Sequence, residues 1–535
     1  MRRSRVVAMT TGSAAVLGAV LLVLPRMGSD LSAQVARAEF FAAHGYRAID
    51  LRWYGGVNQF GYSLVSQPLM AALGVRVTGV LALLVAATAF AALLARTKVA
   101  RPLLGSLVGV VCIAGNLVSG RVTYALGVAF GLVALLALTV PGDSGRRRLV
   151  RYGGAVVGTA LASAASPVAG LFVGLAGAAL LLTRRYAPGL ALGVPAAGPM
   201  LLTGVLFGEG GWMNISRTDT VHAVVTSLVV AVLVNHRAVR FGALLSALGV
   251  LLAALVQTPV GLNATRLVVM FALPLLAADA RPPAWLTEQL PARLSRRLPT
   301  MLRGRTAQVT ALTVLLAAVF WWQPPVVAAD LRSAGDPTGD RAYFTPLVAE
   351  LRQRNLTGRV EIPPTRNYWE AAHLDELPLA RGWLRQVDID RNPLFFTTVP
   401  GAAGTGVPLT ESTYRDWLHD NAVQYVAVPD AELSWIGRAE AQLVGDGLPY
   451  LSLVWTDPHW RLYAVTDPQP IVAAPASVAH QDAATLTFDT PVAGQVRVRI
   501  RYSPWLTVSD GATLTAEDGW TLVTTPQPGR YTVSS

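Results

Sequence analysis

Acidic residues are scarce in the first three-fifths of this 535-residue chain. Met1–Pro324 holds eight of the 32 Asp and Glu: Asp30, Glu39, Asp50, Asp143, Glu209, Asp219, Asp279 and Glu288. Bases run the other way, 28 before that point and 16 after it, so the first part carries about +20 and the remainder about −8. Cysteine is represented by Cys112 alone, inside an apolar run, which excludes an intrachain disulfide and a cysteine metal site. Lysine is represented by Lys98 alone, against 43 arginines, a bias typical of GC-rich genomes. The seven histidines show no HExxH or other metal spacing, and GxSxG, P-loop and dinucleotide fingerprints are all missing. Charge as a whole is low, at 14%, where a soluble protein carries roughly 25%. With 53% hydrophobic residues and a mean hydropathy of +0.44, the chain reads as an integral membrane protein. Its pI of 10.2 does not argue for nucleic acid, because the excess positive charge lies in short loops between apolar segments.

What is present sorts into a topology. A membrane span needs about 20 apolar residues. Helices are expected near 6–24, 77–95, 102–118, 122–140, 152–168, 169–183, 188–207, 220–235, 239–257, 264–278 and 308–324, about eleven in all, with the fifth and sixth broken around Ser166-Pro167. One alternate set of loops reads MRRSR, RTKVAR, GDSGRRRLVR, TRRYAP, NHRAVR and the Asp279–Gln308 stretch. The other set is Pro25–Arg76, SGR, Ser166-Pro167, GEGGWMNISRTD and TPVGLN. The strongly basic set belongs in the cytoplasm. The expected N-terminus is therefore cytoplasmic, on an uncleaved first helix, and everything beyond Trp322 is outside the cell membrane. The domain reading is a transmembrane unit over 1–324 with a first exterior loop at 25–76, a mixed α/β unit over 325–470 and a β-rich unit over 471–535. Runs such as VQYVAVP, QVRVRIRY and WTLVTT read as strands. Tyr343–Arg354 and Glu411–Asn421 read as helices, the second capped by Ser412 or Thr413.

Five carboxylates fall in the outer loops of the membrane part: Asp30, Glu39, Asp50, Glu209 and Asp219. Asp30 stands a few residues beyond the first span, ahead of an amphipathic run. Its ordinary reading is an N-cap, and its functional one is a carboxylate held at the bilayer surface; the two are compatible. Asp50 and Arg52, beside Trp53 and Tyr54, read either as a local ion pair with interfacial aromatics or as part of a site. Arg266 sits one turn into an apolar helix at its outer end, against the positive-inside bias. Such an arginine needs an anion or a path to water, and a lipid phosphate suits its fork; the alternative is snorkelling. Arg121, in the SGR turn, is a candidate of the same kind.

The first loop, GSDLSAQVARAEFFAAHG, resembles the opening of polytopic GT-C glycosyltransferases, and the return FGYSLVSQPLMAALG resembles their aromatic re-entry into the second span. GNLVSGRVTYALGVAFGLVALLAL and NATRLVVMFALPLLAAD are similar to later spans of that class. In the tail, TYRDWLHDNAVQYVAV and YSPWLTVSDG with GWTLVTTPQPGRYTV resemble the outer part of actinobacterial and YfhO-like membrane proteins. The resemblance implies an inverting transfer from a polyprenyl-phosphate sugar to an envelope glycan or glycolipid outside the membrane. On that mapping Asp30 is the general base, Arg266 with Arg121 binds the donor phosphate, and Asp50, Arg52, Trp53, Tyr54, Asn58 and Gln59 line the substrate pocket. Two departures stand out: Asp30 is followed by Leu31 where many members have a second acid, and Gly61-Tyr62-Ser63 replaces a Pro-Pro-aromatic pattern. The cofactor reading stays open between none and a divalent cation, since a lone acid makes a poor metal site. Two further readings compete: a non-catalytic scaffold or glycan-binding protein on the same frame, and a transporter. Against the latter, no inverted repeat is visible and intramembrane charges are few.

Overall fold

The computed structural model describes residues 3–142, 144–281, 300–402 and 406–535, with only the backbone of 300–307. Helix α1 (Arg3–Val23) leads into a first loop that carries α2 (Leu31–His44), a two-residue hairpin of β1 (Ile49–Asp50) and β2 (Val57–Asn58), and α3 (Ser66–Leu73). The bundle continues through α4 (Val75–Arg96), α5 (Pro102–Val118), α6 (Val122–Ala137), α7 (Gly145–Ala165), α8 (Pro167–Leu182) and α9 (Tyr186–Phe207). It closes with α10 (Arg217–Leu233), α11 (Arg237–Leu255), α12 (Arg266–Asp279) and α13 (Thr300–Trp322). The expected break between the fifth and sixth spans is real. Ser166 is extended and accepts the Ala169 N–H, and Pro167 opens α8 where its missing N–H costs nothing.

Among the described residues, five helices are long and apolar enough to cross a membrane: Arg3–Val23, Val75–Arg96, Tyr186–Phe207, Arg237–Leu255 and Gly261–Asp279. Pro102–Val118, Val122–Ala137, Pro167–Leu182 and Gln308–Trp322 are apolar but shorter, so the expected count of about eleven crossings rests on helices that miss this length or apolarity. The outward faces are apolar: Val205 is 81% exposed and Leu255 80%, which only a hydrocarbon surround tolerates along whole helices. The chain is a multi-pass membrane protein. Much of the basic stretch between Asp279 and Gln308 lies outside the described residues.

Beyond α13 come α14 (Ala328–Arg332), α15 (Thr345–Gln353), α16 (Glu370–His373), α17 (Arg385–Arg391), α18 (Glu411–Asp420) and α19 (Trp435–Gly445). They pack around a four-stranded sheet in the order β3 (Arg359–Glu361), β4 (Val423–Pro429), β6 (Trp460–Val465), β5 (Leu451–Thr456), in which only β3 and β4 run parallel. The cap of α18 is Thr410 rather than Ser412 or Thr413. Its hydroxyl accepts the Thr413 N–H, and the Thr413 hydroxyl takes the Thr410 N–H in return. The final segment is all strand, in two sheets. One holds β10 (Thr507–Val508), β13 (Gly529–Ser534), β8 (Thr485–Thr490) and β7 (Ser477–Gln481); the other holds β11 (Thr513–Glu517), β12 (Trp520–Thr525) and β9 (Gly494–Arg501). Leu486, Phe488, Val498, Val523, Tyr531 and Val533 fill the space between them, as alternation along each strand requires.

The first loop is built into both C-terminal cores. Ile49 and Leu51 join the core of the two-sheet segment, whereas Leu31, Trp53 and Tyr54 join that of the four-stranded sheet. Three backbone bonds stitch it in place: Leu51 N–H to Ala483, Leu379 N–H to Arg52 and Arg501 N–H to Gly55, all at 2.7–2.8 Å.

The start of α2 is also locked to the turn between α5 and α6. Gly28 and Gly120 both lie at positive φ, +97° and +78°. A Cβ on Gly28 would stand 2.4 Å from the Val118 carbonyl oxygen, and one on Gly120 would stand 2.4 Å from the Leu31 nitrogen. The Asp30 N–H crosses this seam to the Ser119 carbonyl at 3.0 Å. Gly120→Ala combines a left-handed backbone with a backbone clash, and should cost about 2 kcal/mol or more. Thermal unfolding of the purified full chain checks it: a clearly lowered Tm is expected, and a wild-type Tm contradicts so close an approach.

Candidate functional site

Asp30 occupies the N-cap position of α2, yet its carboxylate makes no hydrogen bond to the helix N–H groups. It turns instead toward two arginines. Arg121 Nε donates to Asp30 Oδ2 at 3.1 Å, and Arg266 Nη2 approaches the same oxygen at 3.4 Å. Arg121 directly precedes α6, and Arg266 is the first residue of α12 behind the 3-10 turn Gly261–Thr265. Arg266 also lies over the Tyr124 ring, 5.4 Å from its centre. One carboxylate between two guanidiniums leaves this trio at +1. All three groups are only partly covered: their side chains are 13%, 23% and 19% exposed, which leaves room for a ligand.

The residues around the trio hold it in place. Next to Asp30, the Ser29 N–H donates to Asp330 Oδ1 at 3.2 Å and the Ser29 carbonyl accepts the Trp383 indole N–H at 2.7 Å. Along α2, Gln34 and Arg37 follow Asp30 at the i+4 and i+7 positions. Gln34 Oε1 accepts from the Thr123 hydroxyl at 2.6 Å, and Gln34 Nε2 donates to the Tyr62 hydroxyl at 2.9 Å. Arg37 is fully buried, stacks 4.1 Å over the Tyr62 ring and donates Nη1 to Gln59 Oε1 at 3.2 Å. Its Nε and Nη2 have no partner among the described residues, and burial lowers its pKa. The Tyr62 hydroxyl moves up, by burial first and by the Asp30 charge second.

Asp50, Arg52, Trp53, Tyr54 and Gln59 form a closed layer behind this, joined to it by the Arg37–Gln59 bond. Asp50 accepts from Arg52 Nη2 at 2.7 Å, from Arg52 Nε and N–H at 3.0 Å, and from Gln59 Nε2 at 3.4 Å. Both oxygens are therefore spent within the loop. Trp53 is 0% exposed and donates its indole N–H to the Ala371 carbonyl at 3.2 Å. Tyr54 is 2% exposed; its hydroxyl bonds the Gly382 carbonyl at 2.6 Å, and burial raises its pKa well above the usual phenol value. Burial against the C-terminal region, and not an open pocket, is what these side chains meet. The Asn58 N–H donates to the Glu209 carboxylate, which Arg391 Nη2 holds at 2.7 Å; the Asn58 side-chain oxygen is buried without a partner among the described residues.

Of the residues that stand out in the sequence, the fold thus brings Asp30, Arg121 and Arg266 to one point. Gln34, Arg37, Tyr62 and Trp383 join them without having stood out. The polar stripe Asp30–Gln34–Arg37 is visible at helical spacing in α2, but nothing local marks Trp383, 353 residues from Asp30. Among the described residues no group of three or more His, Cys, Asp or Glu could hold a metal ion. The guanidiniums around Asp30 are likewise unsuited to a divalent cation. Behind Tyr124 opens an apolar cavity of about 560 Å³ between α4, α6, α8, α10, α11 and α12, which extends to Asp279 and His236 at the far end of the bundle.

Residues 473–517 match a family described as a domain of unknown function (DUF8823). No curated protein matches the chain. Among solved structures, the chain is similar to the arabinofuranosyltransferase AftD from Mycobacteria at 16% identity and a TM-score of 0.45, over 92% of this chain and 41% of that one. It is similar to ArnT from Cupriavidus metallidurans in the apo state at 12% identity and a TM-score of 0.46, over 86% of this chain and 99% of that one. ArnT bound to undecaprenyl phosphate gives 13% identity and a TM-score of 0.42 over the same shares. The chain spans about 41% of the length of AftD.

Proposed function

We propose that this protein is a membrane glycosyltransferase of GT-C type, moving a sugar from a polyprenyl-phosphate donor to an envelope glycan or glycolipid. The observation that carries the reading is the convergence of Asp30, Arg121 and Arg266. A base and an anion site share one oxygen contact, on the face of the bundle that bears the C-terminal region. The positive-inside bias of the loops supports a cytoplasmic N-terminus, and on that reading this face is the outer one. The apolar cavity behind Tyr124 is suited to isoprenoid chain, with the phosphate at the Arg266 end.

A phosphodiester entering between Arg121 and Arg266 competes with Asp30 for both guanidiniums and frees the carboxylate. The acceptor hydroxyl then attacks the anomeric carbon from the side opposite the phosphate. The new glycosidic C–O bond forms, the bond to the phosphate oxygen breaks, and Asp30 takes the hydroxyl proton. The departing polyprenyl phosphate gains one negative charge, which the two guanidiniums stabilise. The stereochemistry inverts.

Two substitutions test this. Asp30→Asn, assayed in membranes with a lipid-linked sugar donor, should lower transfer at least ~100-fold at normal protein levels. Full transfer would remove Asp30 as the base, and a wild-type protein that binds glycan without consuming donor would favour the scaffold reading. Arg266→Leu should weaken donor binding about tenfold or more; unchanged affinity would reduce Arg266 to a snorkelling side chain.

A further inference from the structure

The last turn of α9 touches the two-sheet segment while its side chains still face lipid. No charge occurs from Tyr186 to Gly208, and Leu201, Leu202, Val205 and Leu206 are exposed apolar side chains along that span. Hydrocarbon therefore covers the helix up to Leu206. The first charge beyond it is Glu209, which pairs with Arg391 at 2.7 Å, so the edge of the bilayer falls between these two residues. The final carbonyls of a helix have no helical N–H to accept, and leaving one unmet at that depth is costly. Trp505 meets one of them. Its indole N–H donates to the Leu206 carbonyl at 2.7 Å, and its ring stacks on Phe207 with centres 4.8 Å apart. Phe207 in turn meets Phe60 of the first loop at 5.1 Å, and Phe60 meets Tyr46 at 6.2 Å, so the rings continue along this level.

Trp505 lies in the turn between β9 and β10. Leu506 anchors that turn in the core of the two-sheet segment, and Ser503 Oγ accepts the Trp505 N–H at 3.3 Å. Tyr502, Pro504 and Trp505 are left exposed, and the Tyr502 hydroxyl makes no hydrogen bond among the described residues. Two aromatic side chains with an apolar body and a polar edge suit the boundary between hydrocarbon and water. The lipid that covers Val205 and Leu206 is continuous with this patch, because Trp505 is bonded to the same turn of helix.

We propose that the turn Tyr502–Trp505 is a lipid-contact site. Its rings lie in the headgroup and ester layer of the leaflet at the Phe207 end of α9, and they seat the two-sheet segment on the bilayer. Trp505 is thus both the cap of a membrane span and an anchor. The proposal requires α9 to cross the membrane and is independent of the donor reading above.

The test uses the wild-type full chain in nanodiscs that contain a phospholipid with a diazirine close to its glycerol. After irradiation, trypsin releases Tyr502–Arg530 and, from α9, Tyr186–Arg217, and mass spectrometry locates the lipid adducts. Adducts on residues 502–505 are expected together with adducts on α9. A labelled α9 with residues 502–505 clean overturns the proposal, and adducts on neither overturn the span on which it stands. A second measurement places a nitroxide at Tyr502→Cys, on a Cys112→Ala background, with Asp518→Cys as the exposed reference. Collisions with oxygen should exceed those with a water-soluble nickel chelate at position 502, and the order should reverse at 518. Equal chelate access at both positions overturns the proposal. Protection that appears only in discs holding two copies assigns the patch to a second copy of the chain, and also overturns it.

Discussion

The Asp30 carboxylate draws Arg121 and Arg266 to a single oxygen, and in doing so ties the start of α2 to the ends of α6 and α12. Each arginine sits at the edge of an apolar helix, where an unpaired guanidinium would be costly. Each finds its charge partner in a loop more than 80 residues away in the chain. The arrangement is stable because the charges are paired. It is poised because they are paired unequally: one anion serves two cations at contact distance. An incoming phosphate is therefore not an intruder in a satisfied network. It supplies the charge that the network lacks, and on this account its arrival releases the base.

Placing a carboxylate to within a hydrogen bond of two helices requires a stiff support, and the first loop provides one. Ile49 and Leu51 are core residues of the two-sheet segment, and Trp53 and Tyr54 are core residues of the four-stranded sheet. The Asp50–Arg52 pair is the polar joint between them, buried and bonded on every side that the loop can reach. Removing either partner would strand a buried charge. Gly28 and Gly120 then allow the backbone of the loop to touch the α5–α6 turn directly. The C-terminal region is thus no appendage on a membrane unit. It shares its cores with the loop that carries Asp30.

The helices of the bundle are legible in the sequence because apolar runs of near-span length leave little else for the chain to do, and the Ser166-Pro167 break is legible because both residue types have a fixed place at a helix start. Asp30 and Arg266 stand out for a related reason: a charge in a segment otherwise emptied of charges is conspicuous from composition alone. The roles of Asp50, Trp53 and Tyr54 are not legible in the same way. A polar-aromatic loop next to a membrane looks like a pocket lining, and only the packing of residues 371–384 against it shows that these side chains are interior. Thr410 is masked by two neighbouring hydroxyl residues that could equally cap α18. Trp383 lies in an unremarkable stretch, and its bond to the Ser29 carbonyl beside Asp30 comes from tertiary packing alone.

The central claim is that the oxygen contact shared by Asp30, Arg121 and Arg266 is a phosphate site with a base beside it. A cryo-electron microscopy structure of the full chain with undecaprenyl phosphate tests this most directly. The account predicts phosphate density between Arg121 and Arg266, the isoprenoid entering the cavity behind Tyr124, and an Asp30 carboxylate no longer paired to both arginines. Lipid phosphate bound elsewhere, with both Asp30–arginine contacts intact, would contradict it.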